Sequence, residues 1–122
     1  MGTINNFTDL NTWKEGHLLV IEVLQVVKLF PRNAYALVDQ ITRSAISITS
    51  NIAEGFSRQS KKEKVQFYHI AKGSLTEIHN QILICFDTDL IDSIQFKTLE
   101  LKIETAGRLL TGLIRSAESK SS

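Results

Sequence analysis

Arg43-Ser44-Ala45-Ile46-Ser47-Ile48-Thr49-Ser50-Asn51-Ile52-Ala53-Glu54-Gly55 lies inside a stretch of helical periodicity, yet consists mainly of small hydroxyl-bearing and short apolar residues. Ser, Thr and Ile have middling helix propensity, and the hydroxyls compete for backbone hydrogen bonds. Such a helix is stabilised by what packs against it. At about 100° per residue, Leu37, Ile41, Ala45, Ile48 and Ile52 form one apolar stripe. Gln40, Arg43, Ser47, Ser50 and Glu54 form a polar stripe roughly opposite. Thr42, Ile46, Thr49 and Ala53 make a third flank, short enough for a neighbouring backbone to approach closely. Three flanks facing three environments point to a helical bundle that also assembles with copies of itself. Close packing between helices of one subunit is the other use of that third flank.

On either side of this stretch apolar residues recur at helical spacing, with one proline and few turn signals. Helix one is expected to take Thr8 or Asp9 as its N-cap and to end before Pro31. Leu10, Trp13, Val20, Leu24 and Val27 form its core side. Leu19, Val23, Val26 and Phe30 form a second apolar seam on nearly the opposite side, and a second seam suits a contact between subunits. Helix three opens on a capping box, Ser60-x-x-Glu63, and carries Phe67, Ala71, Ser74, Ile78 and Cys85 on its core stripe. Asp92-x-x-Gln95 can cap helix four, which shows Phe96, Leu99, Ile103, Ala106, Leu110 and Leu113 at regular spacing. The expected architecture is one all-α domain over 1–122, an antiparallel up-down-up-down four-helix bundle oligomerising into a ring or barrel. Its helices are placed at 9–30, 34–56, 61–86 and 93–116, with a disordered tail at 117–122.

A chain of 122 residues, 43% hydrophobic and 22% charged, has the size and composition of one soluble globular domain. A lone cysteine, Cys85, excludes an intramolecular disulfide and a cysteine-based zinc site, and fits a reducing, cytoplasmic setting. No signal peptide is visible, and the densest apolar run, Leu18–Val27, is about half of what spans a bilayer. No membrane partner is therefore expected. The net charge of +1 hides an asymmetry: Pro31–Leu75 carries +4 and the remainder −3.

A family resemblance rests on several motifs. The chain has Phe7, Asp9, Leu10 and Trp13, then Phe30-Pro31, Tyr35 and Leu37. It continues with Ser47-Ile48-Thr49-Ser50-Asn51-Ile52-Ala53-Glu54-Gly55, then Ala71, Gly73-Ser74-Leu75 and Glu77. In this register, over residues 7 to 82, it resembles the four-helix-bundle proteins encoded in 23S rRNA intervening sequences, some of which are called ribosomal proteins. Two departures stand out. Thr42 takes the place of the first residue of a basic pair, leaving Arg43 alone, and Thr49 replaces a proline, so any kink there is weaker. The resemblance implies a bacterial source and a pentamer of bundles arranged as a barrel. It also implies kinship with the accessory protein of diversity-generating retroelements, which works with a reverse transcriptase and binds nucleic acid. Most members have no established biochemical role.

Within the basic block, Arg58, Lys61, Lys62 and Lys64 gather at the start of helix three. There free backbone donors and ammonium groups would together receive an anion. Lys61, Lys64, Tyr68, Lys72, Thr76 and His79 then share one helix face, and cations interleaved with an aromatic ring suit a phosphate backbone and an unstacked base. Arg43, Arg58, Lys61, Lys62, Lys64, Tyr68 and Lys72 are the residues expected to bind RNA or DNA. Leu19, Val23, Val26, Phe30, Ile46, Thr49 and Ala53 are those expected at a subunit interface. The partners expected are further copies of the chain, RNA or DNA, and a nucleic-acid-processing protein. The alternative is a structural module that binds another protein and no nucleic acid.

Enzymatic chemistry finds no support in the sequence. His69 and His79 are ten residues and about 80° apart on one helix. No H-E-x-x-H, P-loop or G-x-G-x-x-G occurs, so neither metal nor cofactor is expected. Gly73-Ser74 lacks the G-x-S-x-G frame of a nucleophile elbow, and its glycine is read as permitting close helix packing. His17, within the core stripe of helix one, is expected to be partly buried and hydrogen-bonded. Glu54 and Arg58 form an i,i+4 pair of favourable polarity, and Glu77 a polar surface or interface contact.

Overall fold

The computed structural model describes residues 3–119. It contains four α-helices, α1 Asn11–Val27, α2 Tyr35–Ser57, α3 Lys61–Asp87 and α4 Ser93–Ser119, and no strand among the described residues. The N-cap of α1 is Leu10, not Thr8 or Asp9, and it makes no side-chain cap bond; the side-chain cap is one turn earlier, at Asn6. It heads a 3-10 turn, Phe7–Asp9, in which the Thr8 amide donates to Asn6 Oδ1 and the Asn6 amide to Asp9 Oδ2. α1 stops at Val27, three residues short of the expected end, and closes through i→i−3 bonds from Leu29 and Phe30. Pro31 disfavours helical backbone at Phe30 and carries no amide proton, so the chain turns there. A second 3-10 turn, Arg32–Ala34, leads into α2.

At the head of α3 only half of the capping box forms. Ser60 Oγ accepts from the Glu63 amide at 3.1 Å, while the Glu63 carboxylate takes the Ser60 hydroxyl rather than its backbone N–H. The box before α4 is complete: the Gln95 amide donates to Asp92 Oδ1 and the Asp92 amide to Gln95 Oε1. Between them Asp89 takes a left-handed conformation (φ 62°), as a helix-terminating residue after α3. α4 continues to Ser119, so residues 117–119 of the expected tail are helical and 120–122 lie outside the described residues.

Each helix has two close neighbours, α1 between α2 and α4 and α3 between α2 and α4, while the backbones of the diagonal pairs stay farther apart among the described residues. This arrangement corrects the expected interface on α1. Leu19 and Val23 are fully buried, Val26 is buried and Phe30 packs against the same core as Val20 and Val27. A helix wedged between two neighbours buries a wide arc, so both of its apolar seams face inward. Leu18 and Ile21 are the large apolar side chains of α1 left outside, 49% and 39% exposed. On α2, Thr49 is used within the subunit. A β-carbon placed on Gly16 of α1 would sit 3.4 Å from Thr49 Cγ2, so the two helices meet at this small-residue crossing. Ala53 is half-buried and Ile46 remains 45% exposed.

Cys85 is fully buried, and burial pushes its thiol up from 9.0; Tyr68 is raised from 10.0 for the same reason. Both shifts favour the protonated folded chain. Their stabilisation is complete below those unfolded values and is lost as pH rises through the higher folded ones. A thermal-melt series should therefore show stability declining above about pH 9. At pH 8 a thiol reagent should modify native Cys85 only as fast as the bundle opens, and the unfolded chain at once.

Candidate nucleic-acid interface

The seven residues expected to meet a polyanion do not form one surface. Arg43 is exposed on α2 and pairs with Asp39 at 3.3 Å. It borders a polar groove with Gln40, Ser44, Ser47, Glu77 and Gln81. Arg58 pairs with Glu54 at 3.0 Å and approaches Glu63 at 3.8 Å, with its guanidinium 4.7 Å from the centre of the Phe67 ring. It fastens the end of α2 to the start of α3. Lys64 Nζ donates to the Phe56 carbonyl at 2.8 Å and to the Gly55 carbonyl at 3.3 Å. Those oxygens belong to the last turn of α2, whose terminal carbonyls form the negative end of the helix dipole. Lys64 thus serves the fold.

Tyr68 is the clearest correction. It is 3% exposed, with its ring against the backbone of Gly55, and cannot offer a stacking surface to a base. The helix wheel placed it beside the lysines, but the end of α2 lies over that part of α3. Lys62 is exposed and Lys61 half-exposed. Lys61 rims an opening of about 350 Å³ near the end of α4, whose lining includes Leu113, Ser116 and Ala117.

Lys72 points to a different site. It lines an open groove of about 550 Å³ between α3 and α4. Thr76 and His79 share the α3 side; Glu104, Arg108, Thr111 and Arg115 share the α4 side. Gly107 and Gly112 also line it and add no side-chain bulk, while Leu75 and Ile103 come from the core. His79 lies 3.7 Å from Glu100, so one end of the groove carries a carboxylate-bearing pair. The cations Lys72, Arg108 and Arg115 lie toward the other end, and neither Lys61 nor Lys62 lines this groove. Arg108 and Arg115 were missed because the basic block was counted along the chain and ended at Leu75. Glu104, Arg108, Thr111 and Arg115, spaced four, three and four, form the stripe that could have revealed them.

The seam between α2 and α3 is polar. Ser44 Oγ donates to Glu77 Oε1 at 2.8 Å and accepts from Gln81 Nε2 at 3.2 Å. The Ser47 and Ser74 hydroxyls share a hydrogen bond at 2.8 Å, and Asn51 Nδ2 donates to the Ser47 carbonyl and hydroxyl. The small residues of Arg43–Gly55 therefore let α2 and α3 approach closely enough for hydroxyls to bond across. Gln81 Oε1 is buried with no partner among the described residues. His17 differs from expectation: it is exposed and stacked on Trp13, ring centres 4.6 Å apart. Gly73 differs too, since a β-carbon there would meet nothing within 4 Å. Among the described residues no group of three or more His, Cys, Asp or Glu is placed to hold a metal ion. None of their helices is long and apolar enough to cross a membrane.

Four helices around a common core, with cations and hydroxyls in the grooves between them, define an all-helical bundle protein. The model of the 23S rRNA-intervening sequence protein family matches residues 8–112, and the chain belongs to that family. The match reaches well into α4, beyond the residues that carried the resemblance in the sequence. Among solved structures, the chain is similar to a crystal structure of a protein of unknown function from the S23 ribosomal protein family of Bacteroides thetaiotaomicron. The TM-score is 0.79 at 20% identity, covering 85% of this chain and 95% of that one, which establishes the shared fold. No curated protein matches the chain. Neither likeness indicates an enzymatic family.

Proposed function

We propose that this chain is a non-catalytic, single-domain bundle of up-down-up-down topology that binds the phosphate backbone of RNA or DNA in the α3–α4 groove. The observation that carries this is the convergence of Lys72, Arg108 and Arg115, from two helices, on one open groove. The antiparallel order is supported by contacts that run in opposite senses along neighbouring helices. Thr12 meets the Leu109 carbonyl, Ser44 meets Gln81 while Ser47 meets Ser74, and Lys72 shares its groove with Arg115.

The proposal includes assembly into a ring, five-membered as the family resemblance implies, acting in the cytoplasm alongside a nucleic-acid-processing protein. Exposed apolar side chains such as Leu18, Ile21 and Ile46 support a subunit contact, and the seam of Leu19, Val23 and Val26 takes no part in it. A ring would repeat the groove, so weak contacts would add through multivalency. The second reading, a protein-interaction module, is favoured by one fact: Arg43, Arg58 and Lys64 are each engaged within the subunit.

Fluorescence anisotropy with labelled RNA and DNA tests the first reading. Affinity should fall steeply with salt, and reversing the charge of Lys72, Arg108 and Arg115 together should abolish binding, whereas Arg43→Gln should leave it nearly intact. Absence of binding at low salt would transfer the assignment to the interaction module. Light scattering that returned the mass of a monomer would sink the ring.

A further inference from the structure

We infer that the nucleic acid suited to the α3–α4 groove is a double helix, held by its phosphates with its bases unread. This rests on the nucleic-acid reading above and specifies its ligand. Proteins that hold single strands without sequence preference combine a basic groove with exposed aromatic rings on which bases stack. The groove offers the first and lacks the second. Among the described residues that line it there is no Phe, Tyr or Trp, and the one aromatic ring, the His79 imidazole, stands 3.7 Å from the Glu100 carboxylate at the acidic end. The phenyl and phenol rings near the basic end are already occupied: Tyr68 is buried against Gly55, Phe67 lies under Arg58 and Phe56 under Lys64. Tyr35 is exposed, but it lines a separate groove at the turn between α1 and α2.

The cations also have the geometry of a fixed track. Arg108 and Arg115 lie seven residues apart on α4, about 10.5 Å along its axis, and Lys72 faces the same groove from α3. The helix holds this spacing rigid, which suits a phosphate array already fixed by a duplex better than a flexible strand that must be ordered on binding. The track is about three base-pair steps long at about 3.4 Å each. The carboxylates, Glu100 and Glu104, lie toward the end away from Arg115, so the polyanion is drawn toward Lys72 and Arg115. No Asn or Gln amide lines the groove among the described residues, which removes the usual reader of adenine. Thr111 supplies a hydroxyl for a phosphate or sugar oxygen, whereas the Thr76 hydroxyl donates to the Lys72 carbonyl.

The test compares one short DNA duplex, the RNA duplex of the same sequence, and each single strand, by anisotropy between about 50 and 200 mM salt. Duplexes should bind more tightly than single strands of equal length, and two unrelated duplex sequences should bind alike. Replacing three cations, as in K72Q/R108Q/R115Q, should flatten the slope of log K against log salt on duplex by about 2.7, which is about 0.9 for each charge removed. Circular dichroism of the same variant checks that the fold is retained, as expected for exposed side chains. If single strands bind as tightly as duplex or more tightly, the duplex assignment is overturned while the nucleic-acid reading stands. If no probe binds at the lowest salt, both fail together.

Discussion

Ile48→Ala is expected to destabilise the bundle by about 2–5 kcal/mol, the range for truncating a fully buried isoleucine. The side chain is 0% exposed, and its Cγ2 lies within 3.8 Å of where a β-carbon on Gly16 would stand. It therefore fills the crossing of α1 and α2, where no longer side chain from α1 can move in to close the gap. The serine-rich helix around it has little intrinsic stability to offset the loss. The chain is small enough for this to be a large share of the stability of a typical domain, about 5–15 kcal/mol. Urea unfolding should show the midpoint falling with the slope unchanged. A loss below about 1 kcal/mol would mean that the crossing relaxes around the cavity, contrary to the close contact at Gly16.

Gly55→Ala is expected to be the most damaging glycine substitution, at about 1–3 kcal/mol. A β-carbon there would stand 2.5 Å from Tyr68 Cε1, 2.7 Å from Tyr68 Cδ1 and 3.2 Å from the Lys64 carbonyl oxygen. Tyr68 is a rigid ring in a buried site and the carbonyl is backbone, so neither yields easily. Alanine would gain up to about 1 kcal/mol of helix propensity, and the clash outweighs it. Separating α2 from α3 would also pull Lys64 from the carbonyls of Gly55 and Phe56, loosening the corner that precedes the cationic track. Gly73→Ala is the control. Its β-carbon would meet nothing within 4 Å, so it should stabilise α3 by up to about 1 kcal/mol. Thermal melts of the two variants should move in opposite directions. A Gly55→Ala protein that melts at or above the parent would disprove the clash.

Both glycines sit in motifs that carry the family resemblance, and their different surroundings explain why a motif alone does not reveal a role. Ser-Asn-Ile-Ala-Glu-Gly resembles a reactive sequence on paper. In the fold, its Ile is core, its Asn bonds back to Ser47, its Glu pairs with Arg58 and its Gly receives Tyr68. Ser44, Ser47, Ser74, Glu77 and Gln81 then form a polar seam that helical periodicity hints at but cannot pair. The match between serine hydroxyls on α2 and polar groups on α3 depends on how the two helices are aligned along their axes.

What the sequence determined by itself is whatever depends on neighbours three or four residues away. The four helices, the completed cap at Asp92, the core stripe through Ile41, Ala45, Ile48 and Ile52, and the Glu54–Arg58 pair all arise within one or two helical turns, where periodicity and capping chemistry are decisive. The tertiary structure alone decided which side chains were left over. Two seams on α1 both turned inward because that helix has two neighbours. Lys64 and Tyr68 share a face with Lys72 on the wheel, yet the end of α2 claims the first two and leaves the third to solvent. The groove itself joins Lys72 to Arg108 and Arg115, far apart in the chain. A helix wheel counts angles around one axis, and the availability of a charge depends on which other axis lies beside it.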